Sequence, residues 1–189
     1  DYTTIDLEHA EELAYRELID SIRYISLGDE CGVMGNIANI ITYKGRFYIQ
    51  EEQFDRVFIY DDTGRCLKKI DNKGRGPGEY LRIESIDINT EKEELMLVDG
   101  MSDKLFFYDL GGNFKSIHSI RYFQTENTLC LRDSVFLHIS APSQNFGNEG
   151  LYGYALVLSK GNENFLKGYR YLPLQVGYKG GGQIFKGYE

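Results

Sequence analysis

The feature that most constrains this chain is an internal repeat. The segment R-F-Y-I-Q-E-E-Q-F-D-R-V-F-I-Y-D-D-T-G-R-C-L-K-K-I, from Arg46 to Ile70, is echoed by E-L-M-L-V-D-G-M-S-D-K-L-F-F-Y-D-L-G-G-N-F-K-S-I-H-S-I, from Glu94 to Ile120. The pairs Asp55/Asp103, Tyr60/Tyr108, Asp61/Asp109 and Gly64/Gly112 all lie 48 residues apart. A fainter third copy runs through Ser134–Ile139 and Tyr154–Asn162 to Phe165, with Gly161 placed 49 residues after Gly112. A period of this length with no helical pattern inside it matches four short strands per repeat. That is the arithmetic of a propeller blade, at ~40–50 residues each.

The local patterns agree. Ile22 to Leu27 and Arg82 to Asn89 alternate apolar and polar, as half-buried strands do. Leu95–Val98 and Leu105–Tyr108 are unbroken apolar runs, the signature of strands covered on both faces. Asp-Asp-Thr-Gly follows Tyr60 and Asp-Leu-Gly-Gly follows Tyr108. In each, the leading Asp is placed to accept a backbone N–H two residues on, and the Gly to take positive φ, so both read as hairpin turns. One helix is expected, from about Leu7 to Ile19, on the spacing of Leu7, Ala10, Leu13, Ala14 and Leu18. The expected class is therefore all-β: a β-propeller of four-stranded antiparallel blades, about three visible and the ring incomplete, with a short N-terminal helix. The expected organisation is a helical lead-in over 1–20, blades over 21–175 (about 36–72, 82–121 and 127–174) and a Gly-rich tail over 176–189.

Charge and composition exclude several functions. Lys and Arg number 21 against 29 Asp and Glu, a net charge of −8, and the cations are scattered. Nucleic-acid binding needs a basic footprint that displaces counterions, and none is visible. No window approaches ~18 consecutive apolar residues, so no transmembrane helix is expected. The opening Asp-Tyr-Thr-Thr lacks the basic end and apolar core of a signal peptide. Cys31, Cys66 and Cys130 are 35 and 64 residues apart, which is no metal-binding spacing. An odd count leaves at least one free thiol, and the expectation is three buried small hydrophobes rather than a disulfide framework.

The stretch E-L-I-D-S-I-R-Y-I-S-L (Glu17 to Leu27), then Gly35-Asn-Ile, then N-K-G-R-G-P-G-E-Y (Asn72 to Tyr80) followed by I-x-x-I-D-I resembles the NHL-like six-bladed β-propeller proteins of Bacteroidetes. The resemblance covers roughly residues 15 to 175. It implies a periplasmic or outer-membrane-anchored protein, and an N-terminal strand, here Ile22 to Leu27, that closes the ring by pairing into the last blade. Six blades at this period would need about 290 residues against the 189 present. Three arrangements would answer that: a piece of a longer chain, two copies meeting as a homodimer to complete the ring, or a smaller closed ring with weak blades.

Function is expected on the face that gathers the B-to-C and D-to-A connections, where A is the innermost strand of a blade and D the outermost. Gln50 to Arg56, Gly74 to Tyr80 and Asp99 to Lys104 fall there. Gly74-Arg75-Gly76-Pro77-Gly78-Glu79-Tyr80 lacks the G-K-[ST] ending of a phosphate cradle and no helix follows it, so it reads as a tight connector. Arg75 and Glu79 either pair or cap backbone nearby. Asp99 and Asp103 share one loop, and Glu51, Glu52 and Asp55 the equivalent loop one blade earlier; without D-x-D-x-D-G spacing they read as solvated acids rather than a Ca²⁺ site. His9, His118 and His138 have no ligand spacing, so neither a metal nor a Ser-His-Asp site is expected. Phe106, Phe107 and Tyr108 read as core, whereas Tyr152, Tyr154, Tyr169, Tyr171 and Tyr178 could offer stacking surfaces for sugars. The expected function is a non-catalytic binding or scaffold module of the cell envelope, with Arg75, Glu79, Tyr80, Asp99, Asp103 and Lys104 contacting a glycan, peptide or protein, and no cofactor. The alternatives are a polysaccharide lyase or hydrolase built on Glu79 and Asp103, and a structural half-ring.

Overall fold

A computed structural model describes residues 19–120, 127–132, 134–139, 154–161 and 164–170. Among them are three four-stranded antiparallel sheets, each hydrogen-bonded in chain order. The first holds β1 (Ile37–Tyr43), β2 (Arg46–Glu51), β3 (Arg56–Asp61) and β4 (Cys66–Ile70). The second holds β5 (Ser85–Asn89), β6 (Glu94–Asp99), β7 (Lys104–Asp109) and β8 (Phe114–Ser119). The third holds β9 (Asn127–Arg132), β10 (Val135–Ile139), β11 (Tyr154–Lys160) and β12 (Asn164–Arg170). The first strands of successive sheets stand side by side, β1 by β5 and β5 by β9. The sheets are three blades of a β-propeller, packed face to face around an axis lined by β1, β5 and β9.

The unbroken apolar runs follow from that packing. Alternate side chains of a strand leave opposite faces, so a blade sandwiched between neighbours needs apolar residues at every position. Tyr48, Val57 and Ile59 of the first blade meet Leu95, Leu97, Phe106 and Tyr108 of the second in one core. The intervening residues Met96, Val98, Leu105 and Phe107 turn the other way and meet Phe136 of the third blade. Phe106, Phe107 and Tyr108 are all core, as their sequence implied.

Both predicted hairpin turns form. Asp61 Oδ1 accepts the N–H of Thr63 at 3.0 Å, and Gly64 has φ +89°. Asp109 Oδ1 accepts the N–H of Asn113 at 2.9 Å, and Gly112 has φ +81°. These glycines have a second role. A Cβ on Gly112 would stand 2.8 Å from Ile59 Cδ1 and 2.9 Å from Lys68 Cγ, both in the preceding blade. A Cβ on Gly64 would stand 2.1 Å from the Ser26 carbonyl and 2.9 Å from Ile25 Cγ2. Residues 25 and 26 thus lie against the first blade as β3 and β4 lie against the second.

Three expectations change. Ile22 to Leu27 is not a strand: despite its alternation, no ladder partner stands beside it among the described residues. Ile22 and Tyr24 are accordingly exposed. Arg82 to Glu84 belong to the connection rather than to the strand, which starts at Ser85. Their amides are held from outside it, Ile83 N–H by Asp55 Oδ1 at 3.1 Å and Glu84 N–H by the Val98 carbonyl at 2.9 Å. The third concerns the thiols. Cys31 and Cys66 form a disulfide with Cα atoms 5.9 Å apart, and only Cys130 is free. The bond pins the segment before β1 to β4. There Cys31 and Met34 cover the first blade's outer face, against Ile49, Phe58 and Tyr60. The helix over Leu7–Ile19 and the tail over 176–189 lie outside the described residues, Ile19 excepted, and Ile19 is not helical.

Candidate functional site

The two kinds of connection interlock on one face, as the sequence suggested. The second strand of each of the first two blades ends in a buried acid, Glu51 or Asp99, 48 residues apart. Neither is solvated, because each carboxylate holds loop amides that would otherwise lose water unpaired. Glu51 Oε2 accepts the Phe54 N–H at 3.3 Å and pairs with Arg56 Nε at 2.9 Å. Its other oxygen, Oε1, is buried without a hydrogen-bond partner and faces Gly35. Asp99 Oδ1 accepts the N–H groups of Met101 and Ser102, both at 3.1 Å. Asp99 Oδ2 accepts the Leu81 N–H at 2.7 Å and the Ser102 hydroxyl at 2.6 Å, tying the loop to the connection between blades.

Asp55 and Asp103 hold equivalent left-handed positions, with φ +55° and +53°. Asp has a short polar side chain that tolerates this backbone. Asp55 is buried; it binds Ile83 N–H and pairs with Lys73. Asp103 is exposed, yet partial burial and the nearby Asp99 carboxylate raise its pKa.

The Gly74–Tyr80 connector closes on itself. Gly74 N–H donates to the Tyr80 carbonyl at 2.9 Å, and Glu79 caps the Gly76 N–H at 2.7 Å. Of the two roles open to Glu79, backbone capping is the one observed. Tyr80 is wholly buried beside Phe106, in an edge-to-face pair. Its hydroxyl donates to the Asp55 carbonyl at 2.8 Å and accepts from Asn72 N–H at 3.1 Å, and burial pushes its pKa up.

The six residues singled out by sequence therefore divide. Tyr80 and Asp99 are buried and fully engaged within the protein, where they position the loops. Arg75, Glu79 and Asp103 are exposed, and Lys104 is half-buried. Sequence reasoning passed over Phe54 and Met101, large apolar residues at the loop tips that are 51% and 65% exposed. Arg56 stacks 4.5 Å from the Phe54 ring. The missed signal was an apolar residue inside an otherwise polar loop.

Sequence reasoning also missed a cleft of about 220 Å³ lined by Ala38, Gln50, Glu52, Arg82, Ile83 and Glu84. It opens where the first blade meets the second. Gln50 is buried, and its Nε2 donates to the carbonyls of Ile83 at 3.0 Å and Glu84 at 3.3 Å. Glu84 Oε2 accepts the Gly100 N–H at 2.8 Å. Its Oε1 lies 3.8 Å from Arg82 Nε, and burial raises its pKa.

Among the described residues no group of three or more His, Cys, Asp or Glu is arranged to hold a metal ion. His138 is buried between the hydroxyls of Thr128, at 3.0 Å, and Ser159, at 2.8 Å, far from solvent. Tyr169 is 44% exposed, with Lys167 Nζ 4.9 Å from its ring. The side chains of Tyr152, Tyr154, Tyr171 and Tyr178 lie outside the described residues. No described helix is long and apolar enough to cross a membrane.

Residues 2–180 match a sequence family described as a domain of unknown function, DUF4934. The chain belongs to that family. No curated protein matches it. Among solved structures this family member is similar to a Bacteroides fragilis protein described as exported, with 19% identity, a TM-score of 0.71, and 84% of this chain and 44% of that one covered. It is also similar to U3-55K, with 11% identity, a TM-score of 0.51, and 71% and 39% covered. At these identities the likeness is one of fold. The chain spans less than half the length of either structure.

Proposed function

We propose that this chain is a non-catalytic binding module of the cell envelope, whose loop face contacts a protein or peptide. The observation that carries this reading is the pair of exposed loop-tip residues, Phe54 and Met101, beside a cleft on a face otherwise stiffened by buried hydrogen bonds. Aromatic residues, Met and Arg are the types enriched where proteins meet, and a rigid scaffold carrying varied loops is the usual way to present them. Arg75, Glu79, Asp103 and Lys104 form the polar surround, and Tyr80 and Asp99 hold the loops in place. A glycan is a weaker fit, because of the tyrosines singled out for stacking the one with a described side chain, Tyr169, stands on β12 of the third blade and not in these loops.

An extracytoplasmic location is part of the proposal. The Cys31–Cys66 disulfide supports it, since such bonds persist in oxidising compartments. So does the fold shared with a protein described as exported. The ring is proposed to be six-bladed, with residues 22–28 standing where the outermost strand of a preceding blade would stand. The matched packing of Gly64 on Ile25 and Ser26, and of Gly112 on Ile59 and Lys68, supports that placement.

The test is a peptide and glycan array probed with wild-type protein, Phe54→Ala/Met101→Ala, and Lys44→Ala at a turn on the opposite face. The loop-face variant should lose peptide binding at least about tenfold, and Lys44→Ala should not. Binding that survives the loop-face change contradicts the assignment, and so does sustained turnover of an arrayed glycan, which would favour the lyase or hydrolase reading with Glu79 and Asp103.

A further inference from the structure

We propose that the cleft between the first two blades takes a cationic side chain of the partner peptide, an arginine before a lysine. This rests on the binding-face reading and specifies its chemistry. Arg82 apart, the side chains lining the cleft offer acceptors rather than free donors. Gln50 spends its Nε2 on two carbonyls, so its Oε1 remains as an acceptor with no donor among the described residues. Glu52 is exposed at the rim and carries no ion pair among the described residues. Glu84 is the central group. Its side chain is only 18% exposed, and its one nearby cation among the described residues is Arg82, at 3.8 Å on a side chain 56% exposed. That contact is beyond hydrogen-bond length and open to water, so it offsets little of the desolvation Glu84 carries.

A carboxylate that has lost water without gaining a close counter-charge gains from an incoming cation. The raised pKa of Glu84 is the same imbalance seen as proton affinity. Ile83 and Ala38 supply an aliphatic wall. This suits a long basic side chain, which lays its stem on apolar surface and carries charge at its tip. A guanidinium brings five donors in a planar fork, and Glu84, Glu52 and Gln50 Oε1 are separate acceptors for them. Arg82 is then a competitor: it holds the approach to Glu84 loosely and must move aside.

The probe is acetyl-Gly-Arg-Gly-amide, with its lysine and citrulline counterparts, titrated into the whole chain at low salt and followed by backbone amide NMR shifts. Citrulline keeps the shape of arginine and removes the charge. The arginine peptide should shift the amides of Ile83, Glu84 and Gly100 and bind at least about tenfold more tightly than the citrulline peptide. Glu84→Gln, which keeps an oxygen for the Gly100 N–H, should weaken arginine binding by about tenfold, and Glu52→Gln by less. Arg82→Ala should tighten it. Equal binding of the arginine and citrulline peptides overturns the inference, as does an Arg82→Ala variant that binds more weakly. The outcomes separate from those of the face itself. If the arginine peptide fails while Phe54→Ala/Met101→Ala still abolishes array binding, the face stands and the cation pocket falls.

Discussion

Single residues decide whether the loops of this chain are rigid or soft. Asp99 and Glu51 show how. A charged group in a loop reads as solvated, yet each of these is withdrawn from water to hold amides that the turn leaves without strand partners. His138 is the converse, a titratable group buried as a neutral one. Its ring sits between two hydroxyls, and burial lowers its pKa to about 4. In the unfolded chain it returns to ~6.5, so the unfolded state takes up the proton first. Its contribution is fully present above pH ~6.5, drains as pH falls, and levels off below about 4. The loss is on the order of 3 kcal/mol. Urea unfolding from pH 7.5 to 4.5 should show this fall in wild-type protein and a flatter profile in His138→Gln. Parallel profiles would mean that the ring is not buried in neutral form. Difference profiles matter here because Glu84 and Asp87, raised by burial, titrate with the opposite sign.

At the scale of elements, much of the blade was legible in sequence. The 48-residue offset placed both hairpin turns, because their geometry needs Asp and Gly at fixed positions. The apolar runs placed the middle strands. Three things were not legible. The alternation from 22 to 27 looks like a strand, but alternation reports which face is buried and not whether a partner strand is present. The loop acids looked alike in sequence, since nothing local tells that Glu51 is buried against the segment at Gly35 or that Asp99 also takes the Leu81 N–H from the connection between blades. Spacing also could not pair Cys31 with Cys66. Their meeting follows from the segment before β1 folding back across the first blade, a long-range event with no local code. That disulfide is the element's clearest handle. Cys31→Ser should lower stability by about 3 kcal/mol, within the usual range for such bonds, and should loosen the cover over Ile49, Phe58 and Tyr60. Thiol counting under denaturing, non-reducing conditions should find one reactive cysteine in wild-type protein. Three would show that the bond does not form, and the oxidising compartment would lose its main support.

For the whole molecule, the packing is uneven. The first blade is covered on one side by the second and on the other by a pinned segment. The third blade turns Phe136 toward the second, but Leu129, Leu137, Leu156 and Leu158 on its other face are only half-buried. Such a face, with residues 22–27 that have no ladder partner among the described residues, is what a sector of a ring presents when its neighbours are missing. Propellers typically close with about four to eight blades, and three are described in this chain. A rigid loop face of the kind proposed depends on closure, since blades held on one side only would let their loops drift. The most direct measurement is therefore mass in solution, by light scattering on a size-exclusion column across a tenfold range of concentration. A ring sector should be found above the 21.7 kDa of one chain, with a dimer the simplest completed form. A monodisperse particle of one chain mass at every concentration would contradict it, because the leucine face of the third blade would then be stable in water without a partner.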